Sequence, residues 1–498
     1  MDKLYDIAII GGGVNGCGVA RDAAGRGLKV ILFERGDLAG ATSSASTKLI
    51  HGGLRYLEQY DFRLVHEALS ERTVMMRIAP FLVHPLRFIL PHHKGLRPPW
   101  MLRAGLILYD NLGGRGGMPG SRALDLTKGP EGAPLKPEYR RGFSYYDCAT
   151  DDARLVALNA LSARELGAEV RTRTAVASAR RDGPLWRITT ETGEAVQARA
   201  LVNAAGPWVN EAIGLTGLKP PHGVRLVQGT HIVVPRLYDH DAAYIFQNGD
   251  GRVVFAIPWR SDFTMIGTTD LELSAPPERA EPTEREIDYL CRAVSDYFRS
   301  PLTPDRVVSS WAGVRALADD GAGEAQEASR DYVLTMDAGD GLAPMLSVYG
   351  GKITTYRRLA EGVMAKLSPF FASPGKPWTA TKSLPGGELG GADAVIAILT
   401  TRYAALPAAM LRRLALSYGS RATAVLGEAK AMADLGEVFT GDLTRREVDY
   451  LIDQEFARTA EDVLWRRSKL GLHTTPDEVG RLEAYVEMAR PRPSTSSG

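Results

Sequence analysis

The stretch that decides the fold lies near the N-terminus, where residues 5–34 read YDIAIIGGGVNGCGVARDAAGRGLKVILFE. An apolar strand at residues 5–10 leads into a glycine turn and a helix of small residues. A second apolar strand follows at residues 30–33 and ends in Glu34. This order predicts a β-α-β unit and therefore a parallel sheet.

The turn satisfies the pattern G-x-G-x-x-G at Gly11, Gly13 and Gly16. Between a strand and a helix this pattern predicts a dinucleotide site, in which the first glycine allows the tight turn, the second admits a pyrophosphate and the third lets helix and sheet pack closely. The helix N-terminus offers N–H groups to the phosphates. Glu34 is placed to accept hydrogen bonds from ribose hydroxyls, and its charge disfavours NADP.

Residues 36–53, GDLAGATSSASTKLIHGG, are small, hydroxylic and glycine-rich. Such a segment can wind close to a large flat cofactor, whereas a plain NAD site does not need it. Further small-residue segments at residues 203–206 and 350–352 supply other places of close backbone approach. The composition therefore favours FAD over NAD.

The composition is that of a soluble globular protein, with 498 residues, 44% apolar and 24% charged. Lys plus Arg total 60 against 59 for Asp plus Glu, so we do not expect nucleic acid binding. Three cysteines without a CxxC pair argue against a disulfide framework or a metal site. No stretch approaches the roughly 20 apolar residues of a spanning helix, which predicts a cytoplasmic chain.

Residues 84–115 are an exception to this even distribution of charge. They carry five basic residues and three histidines against one acid, interleaved with aromatic and aliphatic residues. A basic segment with an apolar side is typical of a membrane-surface helix. The alternative is a core-packing helix with solvated arginines.

The chain as a whole closely resembles the FAD-dependent, membrane-associated glycerol-3-phosphate dehydrogenases of bacteria. The resemblance covers essentially the whole sequence and rests on segments such as IIGGGVNGCGVARDAAGRGL, ATSSASTKLIHGGLRYLE, GTHIVVPR, IGTTD, WAGVRALADD, GGKITTYRRLAE and LWRRSKLGL. It implies oxidation of sn-glycerol 3-phosphate to dihydroxyacetone phosphate on FAD, with electrons passed to ubiquinone or menaquinone. The chain would then be cytoplasmic and peripherally attached to the inner face of the membrane, and a homodimer is left open.

The implied fold is that of D-amino-acid-oxidase-like flavoproteins. A Rossmann-like α/β FAD-binding domain is interleaved with an antiparallel-sheet substrate domain and followed by a C-terminal all-α domain. We assign residues 1–80, 150–220 and 305–375 to the FAD-binding domain, and residues 81–149 and 221–304 to the substrate-binding domain. Residues 386–490 form the helical domain, and residues 491–498 a tail.

A small dianionic substrate requires fixed positive charge, and the arginine fork suits a phosphate. The substrate-binding candidates are Arg55, Tyr56, Arg315, Arg330 and Lys352. Removal of the C2 hydroxyl proton requires a base, for which a histidine is suited. The catalytic candidates are His51, His231, Arg315 and Lys352, and the sequence leaves the identity of the base open.

The expected cofactor contacts gather in the glycine turn, the segment at residues 36–53 and the later small-residue segments. The candidates are Gly11, Gly13, Asn15, Gly16, Glu34, Thr42, Ser43, Lys48, Leu49, His51, Val176, Gly206, Gly351 and Thr354. Two alternatives stay open at this point. One is a glycerol-3-phosphate oxidase that uses O2, and the other is a non-catalytic flavin-binding module.

Overall fold

The computed structural model contains two large β-sheets and a C-terminal group of helices. It describes residues 3–58, 60–319 and 331–489, and the side chains of Arg55 and Glu58 also lie outside the described part. The strands are β1 (Lys3–Ile10), β2 (Val30–Phe33), β3 (Leu49–Ile50), β4 (His84–His92), β5 (Arg122–Asp125), β6 (Arg141–Ala149), β7 (Glu169–Arg171), β8 (Val176–Asp182), β9 (Leu185–Thr190), β10 (Ala195–Asn203), β11 (Val224–Pro235), β12 (Ala243–Gln247), β13 (Val253–Trp259), β14 (Phe263–Gly267), β15 (Leu271–Leu273), β16 (Ser309–Ala318), β17 (Val333–Asp337), β18 (Met345–Tyr349), β19 (Val438–Thr440) and β20 (Leu443–Thr444).

The α-helices lie between these strands and after them. They are α1 (Val14–Gly25), α2 (Arg55–Glu58), α3 (Phe62–Ile78), α4 (Pro99–Leu112), α5 (Asp152–Glu165), α6 (Val209–Gly214), α7 (Glu284–Ser295), α8 (Tyr356–Leu367), α9 (Ala392–Arg402), α10 (Ala408–Tyr418), α11 (Ala422–Leu426), α12 (Arg445–Gln454) and α13 (Pro476–Ala489). A π-helix, Asp462–Arg467, precedes the last of them.

The first sheet has the order β17-β18-β10-β1-β2-β7, with β8 and β9 joined at β10. Strand β1 pairs in parallel with both β2 and β10, so the predicted β-α-β unit is confirmed. Helix α1 packs against α5 and α8 on one face of the sheet, and its small residues allow this close approach. The carboxyl ends of β1, β2 and β10 therefore meet at one edge, which is where ligands bind in such sheets.

The second sheet runs in the order β15-β11-β14-β13-β12-β4-β6-β3, with β16 on β11 and β5 on β6. Its pairs are antiparallel except for β12 with β4. Together the two sheets confirm the predicted interleaved α/β and antiparallel architecture. Residues 305–375, assigned above to the FAD-binding domain, contribute strands to both sheets.

The C-terminal region packs helices α9 to α13 around a hydrophobic core of its own. The predicted helical character is confirmed, and a short two-stranded sheet of β19 and β20 accompanies the helices. The region is tied to α5 by a buried ion pair in which Arg154 donates to both oxygens of Glu455, at 2.5 and 2.8 Å. Among the described helices, none is both long enough and apolar enough to cross a bilayer.

The basic segment at residues 84–115 is not one surface helix, and that expectation is corrected. Residues 84–92 form β4, which lies inside the second sheet between β6 and β12. The continuous apolar run of this strand serves packing on both faces of the sheet, since Phe88, Ile89 and Leu90 are buried. Only the second half of the segment, α4, lies at the surface as a helix.

Candidate active site

The glycine turn after β1 leaves no room for side chains at two of its three motif glycines. A Cβ on Gly11, whose φ is +114°, would lie 2.4 Å from the carbonyl oxygen of Ala204. A Cβ on Gly16 would lie 1.9 Å from the carbonyl oxygen of Gly11. Gly13 differs, because the nearest described atom would be Ser43 Oγ at 3.2 Å and the residue lines a cavity. Gly11 and Gly16 therefore permit packing, whereas Gly13 keeps the cavity open.

The first turn of α1 and the end of β2 form one wall of this cavity. The N–H of Val14 donates to Ser43 Oγ at 3.0 Å. The carboxylate of Glu34 accepts from the N–H of Gly12 at 2.6 Å and from that of Gly36 at 2.7 Å, and burial raises its pKa. Each carboxylate oxygen can accept a second hydrogen bond. Glu34 is thus still suited to a ribose hydroxyl.

Residues 42–48 form a second wall and are fixed by side-chain hydrogen bonds. Thr42 Oγ1 donates to the carbonyl oxygen of Val314 at 2.6 Å. Lys48 Nζ donates to the carbonyl oxygen of Ser44 at 2.9 Å and to both carboxylate oxygens of Asp152 at 3.0 Å. Burial alone would raise the pKa of the Asp152 carboxyl, but the positive charge of Lys48 helps to lower it to about 2. Lys48 lines the cavity, but its charge is paired with Asp152, so its role here is to hold the loop.

A third loop, at residues 350–354, lies beside the start of α1. Asn15 Nδ2 donates to the carbonyl oxygen of Gly350 at 3.2 Å. A Cβ on Gly351, whose φ is +101°, would lie 2.9 Å from Asn15 Nδ2, so the close approach requires glycine there. Thr354 Oγ1 accepts the N–H of His51 at 3.3 Å. These contacts place the later loop directly against the early one.

The aromatic ring of Tyr56 joins the two loops. Lys352 Nζ lies 4.0 Å from the centroid of that ring, within the range of a cation–π interaction. The His51 ring meets the edge of Phe255 from the second sheet, with centroids 6.5 Å apart. Residues from both sheets therefore converge on one place.

Together the loops enclose a cavity of about 1370 Å³. The predicted residues that line it are Gly11, Gly13, Asn15, Glu34, Thr42, Ser43, Lys48, Leu49, His51, Tyr56, Val176, Gly206, His231, Arg315, Gly351, Lys352 and Thr354. Gly16 packs beneath the turn instead. The side chain of Arg55 and the whole of Arg330 lie outside the described part of the chain.

The cavity fits a flavin dinucleotide. Its glycine edge and the helix N-terminus suit a pyrophosphate, and its volume accommodates a ring system together with a small substrate. Within the described residues, Asn15 Oδ1 is buried without a hydrogen-bond partner and is an acceptor available to a bound group. The N-terminal loops would hold the dinucleotide, and the second sheet would cover its reactive end.

His231 is the most enclosed of the candidate bases. It lies on β11, is 2% exposed, and its ring stacks on Trp311 with centroids 5.7 Å apart. Its Nε2 lies 2.9 Å from Thr47 Oγ1. Burial, with the positive charges of Lys48 and Arg315, lowers its pKa to about 3. His231 is therefore neutral at physiological pH and a weak base.

The lowered pKa of His231 predicts a loss of stability in mild acid. The histidine has a pKa of about 6.5 when unfolded and about 3 when folded. Between these pH values the unfolded chain binds more protons than the folded chain. The contribution of neutral His231 to the free energy of unfolding is therefore complete above about pH 6.5 and declines as the pH falls. Relative to His231→Gln, the unfolding free energy of the parent should drop by up to about 2 kcal/mol between pH 7 and pH 5. Urea unfolding at both pH values measures this.

The control for that experiment is the exposed histidine His473, whose side chain is 42% exposed. His473→Gln should follow the parent at both pH values. If His231→Gln and the parent lose stability in parallel, the enclosed histidine is not the acid-sensitive group.

Arg315 projects from β16 toward the same cavity. Its Nη2 donates to the carbonyl oxygen of Thr269 at 2.8 Å and pairs with Asp270 at 2.8 Å. A Cβ on the neighbouring Gly229 would lie 2.7 Å from Arg315 Nη2, so glycine leaves the space that the guanidinium occupies. The strand pairing, with Arg315 opposite Val227, fixes its position.

Several residues of the cavity lining were missed from sequence, and two contributions among them shape the site. The first is Trp311, which stacks on His231 and whose ring centroid lies 4.9 Å from Lys48 Nζ. Its position in the quoted WAGVRALADD segment, four residues before Arg315, was the available signal.

The second missed contribution comes from the C-terminal region, which supplies Trp465, Arg466 and Lys469 to the cavity lining. Arg466 Nε donates to Asp37 Oδ2 at 2.6 Å, and Arg467 donates to both oxygens of Asp37 at 2.8 Å. The LWRRSKLGL segment was recognised as part of the resemblance, but nothing local in it predicts contact with the early loop.

The parallel sheet, the glycine turn and the cavity that residues of both sheets line define a flavin-dependent redox enzyme. Comparison with known proteins gives the particular family. A family model described as FAD dependent oxidoreductase matches residues 6–357, and one described as C-terminal domain of alpha-glycerophosphate oxidase matches residues 378–493. The chain belongs to the FAD-dependent oxidoreductase family, and the prediction of FAD as its cofactor is confirmed.

Individual relatives cover nearly the whole chain. The glycerol-3-phosphate dehydrogenase of Pseudomonas aeruginosa is 53% identical over 98% of this chain and 96% of its own length. The D-erythritol 1-phosphate dehydrogenase of Brucella abortus is 49% identical over 97% of each. A solved structure of the glycerol-3-phosphate dehydrogenase of Bacillus halodurans, complexed with FAD, has a TM-score of 0.74 at 27% identity, covering 98% of this chain and 94% of that one.

Proposed function

We propose that this enzyme oxidises sn-glycerol 3-phosphate to dihydroxyacetone phosphate. The observation that carries the proposal is the convergence of Arg315, Lys352 and His51 on the dinucleotide cavity. The names of the relatives above support the same substrate class. Bound FAD supplies a two-electron acceptor for the hydride that leaves C2 of the substrate.

The phosphate and hydroxyl groups of the substrate require different partners. The Arg315 guanidinium is a fixed positive charge in the cavity lining, which suits the phosphate or the oxygen at C2. The Lys352 ammonium is a compact charge, fixed by the glycines before it and by the Tyr56 ring. Positive charge on two walls of one cavity favours a dianion over an uncharged polyol.

We assign proton removal from the C2 hydroxyl to His51. This residue is half-buried in the cavity lining, whereas His231 is stacked, enclosed and weakly basic. Thr354 fixes the backbone of His51, so the ring has a defined approach to the cavity. The proton leaves to the imidazole as the C2–O bond gains carbonyl character, which balances the departure of the hydride.

Anaerobic mixing with substrate tests the proposal. The purified yellow protein should bleach within seconds on addition of sn-glycerol 3-phosphate, and free glycerol should have no effect at the same concentration. Failure of the bound FAD to bleach with excess substrate would overturn the assignment. Faster bleaching with D-erythritol 1-phosphate would instead move the enzyme to the four-carbon substrate, a choice raised by the Brucella abortus relative.

We propose a quinone as the acceptor of the electrons, with the enzyme on the inner face of the cytoplasmic membrane. The surface that supports this is one face of α4, where Trp100, Ile107 and Leu108 are 69%, 47% and 41% exposed. The exposed Lys94 and Arg97 precede the helix and suit anionic headgroups. Stoichiometric peroxide formation, unaffected by added quinone analogue, would favour the oxidase alternative.

Sedimentation with vesicles that contain an anionic phospholipid tests the membrane surface. The parent should pellet with the vesicles, and the double variant Ile107→Ser/Leu108→Ser should remain in the supernatant because α4 loses its apolar face. The double variant Leu389→Ser/Ile398→Ser removes residues of similar exposure, 46% and 41%, from the C-terminal region and should pellet like the parent. Equal pelleting of all three proteins would contradict the role of α4.

A further inference from the structure

A buried polar cluster lies directly behind the loop that carries His51. Asp147 on β6 accepts from Tyr109 Oη, at 2.9 Å to one oxygen and 2.7 Å to the other. The same carboxylate accepts from Arg72 Nη1 at 2.6 Å. Tyr109 Oη in turn accepts the N–H of Gly52 at 2.9 Å, and Asp147 Oδ1 accepts the same N–H at 3.4 Å. A chain of hydrogen bonds thus runs from Arg72 through the carboxylate and the phenol to the loop.

The cluster is fully enclosed by protein. Arg72, Tyr109 and Asp147 are 1%, 1% and 2% exposed. Burial and the neighbouring carboxylate raise the pKa of Tyr109 far above its ordinary value, so the phenol keeps its proton and donates. Separating the partners of such an ion pair is costly, because it leaves a buried charge uncompensated.

The loop is pressed against this cluster with no space between them. A Cβ on Gly52 would lie 2.4 Å from Leu69 Cδ2 and 2.7 Å from Tyr109 Oη. On its other side the loop meets Thr354, which accepts the N–H of His51. The backbone between His51 and Gly53 is therefore clamped from two sides, one from the cavity and one from the protein interior.

We infer that Tyr109 and Asp147 are positioning residues that set the place of His51 in the cavity by holding the N–H of Gly52. The inference rests on the proposed function of His51. The polar atoms of Tyr109 and Asp147 form hydrogen bonds within the cluster. Neither residue therefore offers a polar atom to the substrate. Their effect reaches the reaction through the loop backbone.

The test uses the holoenzyme of Tyr109→Phe, which removes the phenol oxygen and little else. FAD content should be retained, while the rate of anaerobic flavin reduction at saturating sn-glycerol 3-phosphate should fall about 10- to 100-fold, the range expected for a misplaced catalytic group. Because the loop lines the cofactor cavity, the visible absorption and circular dichroism of bound FAD should also change without substrate. Tyr238→Phe is the matched control, since this buried phenol donates to the carbonyl oxygen of Ala256 and belongs to a different hydrophobic cluster from Tyr109.

A double-mutant cycle separates positioning from a general structural effect. In a His51→Gln background, Tyr109→Phe should cause little further loss of rate, because the group it positions is already absent. Gly52→Ala provides a second variant and should reproduce the spectral change. Equal loss in both backgrounds, or an unchanged rate and flavin spectrum in Tyr109→Phe, would overturn the inference. Absence of reduction in the parent would count against the proposed substrate, and the flavin spectra would still decide the positioning role.

Discussion

Replacement of Arg315 by alanine is expected to lower kcat/KM for sn-glycerol 3-phosphate by about 30- to 1,000-fold, or roughly 2–4 kcal/mol. The substrate anion would lose a charged donor inside a cavity where water does not replace it fully. FAD content should persist, because Arg315 lies on β16 of the second sheet and not in the dinucleotide loops. Steady-state kinetics with a quinone analogue, together with FAD content, measure both effects.

Two variants control for charge and for fold. Arg315→Lys keeps the charge without the planar fork and should recover part of the activity. Arg225→Ala removes an arginine from β11, where it pairs with the exposed Glu272 at 2.7 Å. It should change kcat/KM less than twofold, because Arg225 is not among the residues that line the cavity. An Arg315→Ala enzyme with unchanged kcat/KM would remove this residue from substrate binding.

The parts of the fold that depend on short-range pattern were predictable from sequence. The second strand, Val30–Phe33, was predicted at its observed bounds, and Glu34 lies where the motif requires it. These features are determined within about 30 residues, because the glycine spacing and the apolar runs belong to one supersecondary unit. The antiparallel region at residues 224–270 was equally clear, since apolar strands follow one another there with short turns between them.

Long-range contacts account for what the sequence did not reveal. Lys48 lines the cavity as expected, but its ion pair with Asp152, 104 positions later, could not be predicted. Arg467 reaches Asp37 across 430 positions and brings the C-terminal region to the cavity. Such pairs depend on how two regions dock, and periodicity carries no information about docking. The assignment of residues 84–92 to a surface helix was wrong for a related reason, because nothing in this short run indicates that β6 and β12 pair with it on either side.

Leucine in place of Gly13 should yield a folded protein without FAD. The residue is the N-cap of α1 with φ −78°, a conformation open to any side chain, and its Cβ would meet only Ser43 Oγ, at 3.2 Å, among described atoms within 4 Å. A shift of Ser43 Oγ by a few tenths of an ångström makes room for the Cβ, and Gly13 lines the cavity, so we expect the fold to tolerate leucine. A pyrophosphate at the helix N-terminus would lose its place to the side chain. Bound FAD should fall to below about one tenth of the parent content, and activity with it, because the dinucleotide site depends on this close approach.

Two further glycines distinguish loss of cofactor from loss of fold. Gly16→Leu places its Cβ 1.9 Å from the Gly11 carbonyl oxygen and should give insoluble or unfolded protein. Gly480→Leu, on α13 where no described atom lies within 4 Å of a Cβ, should keep both FAD and activity. Far-UV circular dichroism reports whether each variant is folded, and flavin absorbance per chain reports its FAD content. The rise of Tm on adding FAD reports whether the folded protein binds the cofactor. The parent should gain stability as FAD is added, and Gly13→Leu should not, since only a protein that binds the ligand in its folded state is stabilised by it. A Gly13→Leu protein with a full complement of FAD would mean that the dinucleotide does not lie against this turn.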